Sequence, residues 1–385
     1  MIFTGDFRRL FVGNSVSLLG SSVTTVALPL VAVVALHASP VDMGILGAAG
    51  FLPHLVLGLP AGVWVDRLPY KRILVLADLG QLVLIGSVPL AAAFGVLSLA
   101  QLYVVVVLAG VCALFDAVAG QSFTPMLVPR EQLLSANSAL MLTSSTVNVT
   151  GSALGTGLVA LLAAPLAMIV DAASFLVAAL CKLRITVPGV PVAVRHKADL
   201  FGGLRIAFTH PVLRPVTIAA TLGALGGQMQ NTVLALYLIH VLGFSPWLVG
   251  VLVTVAGVAG MLGALVTPTV TRRLGPGRTF VLGMLVSSLA GFVLVVGPAL
   301  LSQVFRGVGP SLYGVNQQTF RQTLVAPDQV SRVNAGWRFL VYGTQPVGAL
   351  LGGLSGTLDL RVTLVVSTAL MLAGTALALP VTRSS

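Results

Sequence analysis

Charge is scarce in this chain. Of its 385 residues only 8% are Asp, Glu, Lys or Arg, against about a quarter in water-soluble domains. Acid is scarcest: there are ten carboxylates, and Glu131 is the single glutamate. With 57% apolar residues, a water-soluble fold is excluded, because a chain of this length cannot hide that much apolar surface. Cysteine is nearly absent. Cys112 and Cys181 both lie in apolar runs, which excludes a disulfide framework and reads as two small core residues. No Walker sequence, redox centre, metal-ligand cluster or nucleophile constellation is present. These absences argue against an enzyme or a primary pump, and no cofactor is expected beyond a proton as coupling ion.

The formal charge of +11 would suit a nucleic-acid partner, but its distribution does not. Basic residues fall in short clusters between apolar runs of about 20 residues, the length that crosses a bilayer core. Twelve such runs are expected, from 10–36 to 361–381. The first is too long for the apolar core of a cleaved signal peptide. Gly and Pro recur inside the runs, as they do in membrane helices. The fold class expected is an all-α membrane protein with twelve transmembrane helices.

Numbering the loops puts 19 of the 21 basic residues on one side, among them Arg8, Arg9, Arg67, Lys71, Arg72, Lys182, Arg272, Arg273, Arg278 and Arg321. The other side has Arg361, and Arg306 falls inside the tenth run. The positive-inside rule then predicts both termini in the cytoplasm, and an even number of spans agrees.

The chain also repeats itself. Leu19-Gly20, Ser39-Pro40, Arg67-Leu68 and Arg72 recur as Leu225-Gly226, Ser245-Pro246, Arg273-Leu274 and Arg278, all at an offset of 206. Further on, Gln121, Phe123, Leu127-Val128, Gln132, Asn137, Gly151 and Gly155 recur as Gln318, Phe320, Leu324-Val325, Gln329, Asn334, Gly348 and Gly352, now at an offset of 197. The change locates a nine-residue deletion between Arg278 and Gln318. The expected organisation is therefore a six-helix half over 1–183, a cytoplasmic linker over 184–210 and a second half over 211–385, shortened around 279–317. In the linker, Asp199 is expected to cap a short surface helix with Leu200, Leu204, Ile206 and Phe208 on its apolar side. Parallel repeats of this kind place a substrate site near mid-membrane.

Gly62-Val-Trp-Val-Asp66-Arg67-Leu-Pro-Tyr-Lys71-Arg72 resembles the signature between helices two and three of the major facilitator superfamily. The stretches around Phe115-Asp116, Val128-Pro129, Asp171, His210-Pro211 and Phe320-Arg321-Gln322 resemble its drug:proton antiporter branch, which includes macrolide and enterobactin-type siderophore exporters. The resemblance implies that Gly62, Asp66, Arg67, Lys71, Arg72 and Asp116 form a cytoplasmic gate. Asp116 would pair with the basic 2–3 loop, and Asp66 would sit against the N-terminus of the eleventh helix. The sequence departs from the pattern at three places. Pro69 and Tyr70 replace the signature's Gly and Arg, removing the basic residue that reaches the acid on helix four and leaving open whether Lys71 replaces it. Ser21 stands where the branch often has Asp, and Ser152 where the antiporter signature has Pro.

Ionisable residues at membrane depth are costly and each needs a reason. Asp78, Asp116 and Asp171 are candidates for proton coupling, as is His54, whose type titrates near neutral pH but which a hydrogen-bonded place in the core would suit better. Two placements are open for Arg306: facing a cavity, where it would bind an anionic group, or snorkelling to the surface. Asn14, Ser17, Ser21 and Thr25, then Gln228, Gln230 and Asn231, then Tyr313, Asn316 and Gln317 complete the candidate substrate cavity, since such groups turn inward in lipid. The expectation is a monomeric, multi-pass protein of a bacterial plasma membrane with a small-molecule substrate and no nucleic-acid partner, working as a proton-coupled exporter. A static binding or sensory protein, an importer and a lipid flippase of the same fold remain open at this stage.

Overall fold

The structure is a computed structural model that describes residues 5–65, 67–129, 132–186, 200–325 and 329–383. The described residues form thirteen α-helices and no strand. In chain order they are α1 (Asp6–Leu30), α2 (Pro40–Val65), α3 (Tyr70–Ala93), α4 (Leu99–Leu127), α5 (Leu133–Leu162), α6 (Ala164–Leu183), α7 (Leu200–Thr209), α8 (Leu213–Leu236), α9 (Pro246–Leu274), α10 (Pro276–Val296), α11 (Ala299–Thr323), α12 (Val330–Gly356) and α13 (Leu360–Leu377). All but the ten-residue α7 have at least 18 residues. Eight are long and apolar enough to cross a membrane on length and composition alone. The long helices outside that set are α5, α8, α11 and α12, which carry most of the Asn, Gln, Ser and Thr at membrane depth.

The outer surface of the helices is that of a membrane protein. On α3, Leu76, Val83 and Leu90 are 67, 68 and 62% exposed. Their seven-residue spacing puts them on one stripe, and the other side of α3 buries Leu74, Ala77, Asp78, Gln81 and Val88. In water such a stripe would be an association surface; in lipid it is the solvated face.

Two compact units divide the chain, one from Met1–Ala38 and Ala49–Arg195, the other from Ser39–Ala48 and His196–Ser385. Their local structure repeats along with the sequence. α1 runs into a π-helical turn at Val31–Ala35 and α8 into one at Tyr237–Val241, again 206 residues apart. The bonds that close these turns also match. Leu36 N–H donates to Val31 O at 3.2 Å and Leu242 N–H to Tyr237 O at 3.1 Å. Ser39 Oγ then accepts from Asp42 N–H at 3.2 Å and Ser245 Oγ from Leu248 N–H at 3.4 Å, capping the next helices. At the opposite ends, Leu10, Leu74 and Phe123 belong to the core of one unit. Their counterparts at offsets 206, 206 and 197, Val216, Phe280 and Phe320, belong to the core of the other.

The second unit is shorter in α10 and α11. They have 21 and 25 residues where α3 and α4 have 24 and 29. The connection between them is 297–298, against 94–98 in the first unit. Glycine lets these helices pack closely. A Cβ on Gly283 would lie 2.6 Å from Tyr313 N and 2.7 Å from Leu312 Cβ, and one on Gly309 would lie 2.6 Å from Ser287 N. Membrane helices without a hydrophobic drive toward one another associate through such contacts.

The linker helix differs from the expected one. α7 packs on α12 closely enough that a Cβ on Gly336 would lie 3.1 Å from Leu204 N. Ala207 is the buried residue, Leu204 and Ile206 are half-buried, and Phe208 is 42% exposed. The expected cap Asp199 lies outside the described residues.

Gly283→Ala should therefore destabilise the protein by about 1–3 kcal/mol, the usual cost of overpacking, and lower its melting temperature in detergent. Gly314→Ala, where an added Cβ meets nothing within 4 Å, should leave it unchanged. Equal melting temperatures would show that this helix contact has room to spare.

Candidate functional site

Three polar groupings lie among apolar helices. The first joins α3, α4 and α6. Lys182 sits one residue before the end of α6 and is fully buried. Its Nζ lies 3.0 Å from Asp78 Oδ2 on α3 and 2.6 Å from Asp116 Oδ1 on α4. Asp78 is 1% exposed and the Asp116 side chain 26%. Two carboxylates thus share one ammonium, leaving the cluster one positive charge short.

This corrects two expectations. Lys182 is not a loop cation, and it, rather than the 2–3 loop, is the partner of Asp116. Lys71 is engaged elsewhere, its Nζ donating to Ile185 O at 2.6 Å. The segment after α6 is strapped down at the same end, where Arg9 donates to Arg184 O at 2.5 Å and Thr186 N–H donates to Asp6 Oδ2 at 2.9 Å. Arg67 and Arg72 are exposed. Gly62 lies in the last turns of α2, and Asp66 is outside the described residues.

The second grouping surrounds Asp171 on α6, which is 1% exposed. Ser21 Oγ of α1 and Ser174 Oγ donate to its Oδ1 at 3.4 and 3.3 Å. Gly20 permits the approach of α1 to α6: a Cβ there would lie 2.7 Å from Asp171 Oδ1. Ser17 and Thr25 donate to backbone carbonyls of α1 itself, and Asn14 is half-buried beside them. His54 is exposed on α2 rather than placed in a core.

The third is a cavity of about 260 Å³ within the second unit. Gln228, Gln230 and Asn231 of α8, Ser287 of α10, Arg306, Pro310 and Tyr313 of α11, Gln345 of α12 and Met371 of α13 line it. Arg306 Nη2 donates to Asn231 Oδ1, and Asn231 Nδ2 donates to Gln228 Oε1 at 3.5 Å. Gln230 is buried, its amide 3.6 Å from Met371 Sδ. Gln345 and Ser287 were not singled out from the sequence. Asn316 and Gln317 continue the Arg306–Tyr313 stripe but do not line the cavity. Asn316 is buried and donates to Thr271 Oγ1 of α9 at 3.2 Å and to Leu312 O at 2.8 Å, so it joins two helices. Arg321, counted from sequence as a loop charge, is 7% exposed. Its Nε donates to Asn334 Oδ1 at 2.9 Å and its guanidinium lies 4.0 Å from the Trp337 ring centre.

The second and third groupings occupy the same place in the repeat. At offset 206, Ser21, Ser22 and Thr25 correspond to Gly227, Gln228 and Asn231, and at offset 197 Asp171 and Ser174 correspond to Thr368 and Met371. The first has no charged equivalent: the counterparts of Asp78 and Asp116 are Met284 and Tyr313.

Removing Lys182 alone strands a buried carboxylate, Asp78, and a half-buried one, Asp116. Lys182→Met should cost about 3–5 kcal/mol, the scale for breaking a buried pair from one side, and reduce the folded yield from membranes. The triple variant Asp78→Leu, Asp116→Leu, Lys182→Met should recover that yield, because the second unit packs Met284 and Tyr313 at the equivalent positions of the acids. A single variant as stable as the wild type would refute a closed ion cluster.

Comparison with known proteins places the chain. The profile described as Major Facilitator Superfamily matches residues 10–340. The multidrug efflux pump Tap of Mycolicibacterium fortuitum is 29% identical over 352 residues, 87% of this chain and 85% of that protein. The enterobactin exporter EntS of Salmonella typhimurium is 27% identical over 368 residues, 90% of this chain and 85% of that protein. In fold, the crystal structure of the nucleoside transporter NupG superposes with a TM-score of 0.75 at 13% identity, covering 98% of this chain and 99% of that one. The chain is a multi-pass membrane transporter and belongs to the Major Facilitator Superfamily.

Proposed function

We propose that this transporter exports an amphipathic small molecule from the cytoplasm of a bacterium, driven by protons entering through its N-terminal unit. Both termini then face the cytoplasm, and the protein works as a monomer in the plasma membrane by alternating access. The names of its relatives support the export direction: an efflux pump and an exporter match over most of their own lengths.

The observation that carries proton coupling is the Asp78–Lys182–Asp116 cluster. Buried ion pairs are rarely worth their desolvation as a source of stability. The second unit closes the same layer with Met284 and Tyr313, so the fold itself does not require charge there. The cluster is also incomplete, with two carboxylates for one ammonium, and one bound proton makes it neutral. Asp171, held by Ser21 and Ser174, is a second carboxylate through which a proton could pass. Intramembrane acids that pair with one another or with a base are the usual material of proton relays. One proton moving down 100 mV releases about 2.3 kcal/mol, enough for a roughly fifty-fold solute gradient.

The test starts from a resistance and accumulation screen with the gene deleted and overexpressed, which supplies a solute. In proteoliposomes, an imposed pH gradient should then accelerate transport of that solute about tenfold or more. Asp78→Asn and Asp116→Asn should each abolish the acceleration while leaving solute exchange at equal pH. Wild-type transport that ignored the gradient would end the coupling claim.

A further inference from the structure

Among the described residues, one charged side chain lines the cavity of the second unit, that of Arg306. Seven residues from the start of α11, it lies about 10 Å below that end of the helix at 1.5 Å per residue, too deep to be treated as a loop charge. Charged groups at such depth are normally paired with an opposite charge. Among the described residues no carboxylate lies within ion-pair distance of Arg306. The described acids of this unit are Asp42, whose Oδ2 accepts from Ser39, and Asp359, which caps α13. What Arg306 has instead is a neutral partner, Asn231.

The neighbours are arranged as donors. Asn231 turns its oxygen to Arg306, so its nitrogen faces Gln228 and donates to Oε1. Gln228 thereby keeps its Nε2 hydrogens for another acceptor. Tyr313 and Ser287 bring hydroxyls, and Gln345 a further amide, to the same space. Ala224, Pro310, Val341 and Met371 supply an apolar part of the boundary. A guanidinium offers several N–H donors in a planar fork suited to carboxylate, phosphate or sulfonate oxygens.

We propose that this cavity is an anion subsite, and that the transported molecule carries an acidic group which Arg306 binds, with Gln228 and Tyr313 as additional donors and the apolar boundary taking its hydrophobic part. The substrate class deepens the transport reading and rests on it; the anion subsite does not, because it concerns binding alone.

The experiment reads the field in the cavity without knowing the substrate. Full-length protein bearing Gln345→Cys, in nanodiscs, is treated separately with anionic sulfonatoethyl, cationic trimethylammonioethyl and neutral methyl methanethiosulfonates. Peptide mass spectrometry follows modification at position 345, so Cys112 and Cys181 stay in place. With Arg306 present the anionic reagent should gain on the cationic one by about tenfold relative to the same protein carrying Arg306→Gln, the effect of one nearby charge in a medium less polarisable than water. Arg306→Lys should retain the preference. 1-Naphthaleneacetate should protect the thiol from the neutral reagent, and 1-naphthaleneacetamide should not, with protection lost in Arg306→Gln. A ratio indifferent to Arg306→Gln overturns the proposal, and so does a thiol that the neutral reagent cannot reach. An anion preference in a protein that shows no gradient-driven transport would leave the subsite standing and remove the transport reading. Transport of amphipathic cations with a flat reagent ratio would do the reverse.

Discussion

Burial of Lys182 is the constraint that the packing of α3, α4 and α6 answers in the N-terminal unit. An ammonium with no exposure to solvent is tolerable only because Asp78 and Asp116 approach it from two other helices. That requirement ties α3, α4 and α6 together at one level. It also changes the role of the loop that follows α2. With Lys71 bonded to Ile185 O and Arg9 to Arg184 O, the basic residues at this end clamp the chain leaving α6. The acid of α4 is neutralised from within the helix layer.

The duplication makes this asymmetry informative. Two units with matching π-helical turns, matching serine caps and matching core positions provide an internal control for what the fold needs. Where both units keep a feature, architecture explains it. Where one unit has carboxylates and the other has Met284 and Tyr313, architecture does not. The same comparison applies one layer away, where Asp171 with its serines in one unit corresponds, in the repeat, to Thr368 and the glutamine-lined cavity in the other. The acid of the first unit is thus replaced by Thr368 in the second, whose cavity takes its charge from a non-equivalent position, Arg306 on α11.

Much of the architecture is legible in the sequence because a bilayer imposes few and coarse rules. Apolar runs of spanning length become helices, and residue matches at offsets of 206 and 197 expose the two halves. The shortened segment appears as a shorter α10, a two-residue connection and a shorter α11. The site is harder to read, for a geometric reason. Hydropathy tells depth poorly at helix ends, so Lys182 and Arg321 count as loop charges although both are buried. In the last turns of α6 and α11 a long basic side chain can snorkel outward or fold inward, and composition does not choose between the two. Composition also cannot say which stripe of a helix a neighbour covers. Arg306, Pro310 and Tyr313 follow helical spacing along the cavity. Asn316 and Gln317 extend that stripe, but α9 reaches Asn316 through Thr271.

The cost of buried charge thus organises both units, and it acts differently in each. In the first unit the charges answer one another, and the imbalance left over is a single charge, small enough for one proton to cancel. In the second the arginine is answered by one amide, that of Asn231, which orients it without neutralising it. A closed cluster can respond to a proton but has no room for a solute; an open cavity with one uncompensated cation can hold a solute but has no described acid to exchange a proton with. For a transporter that couples the two, dividing these tasks between duplicated halves avoids the competition that a shared carboxylate would face. On this argument substrate specificity can drift through α8, α11 and α12 without disturbing the ion cluster of α3, α4 and α6, and the glycine-mediated packing of α10 on α11 holds the cavity's arginine at its depth while it does so.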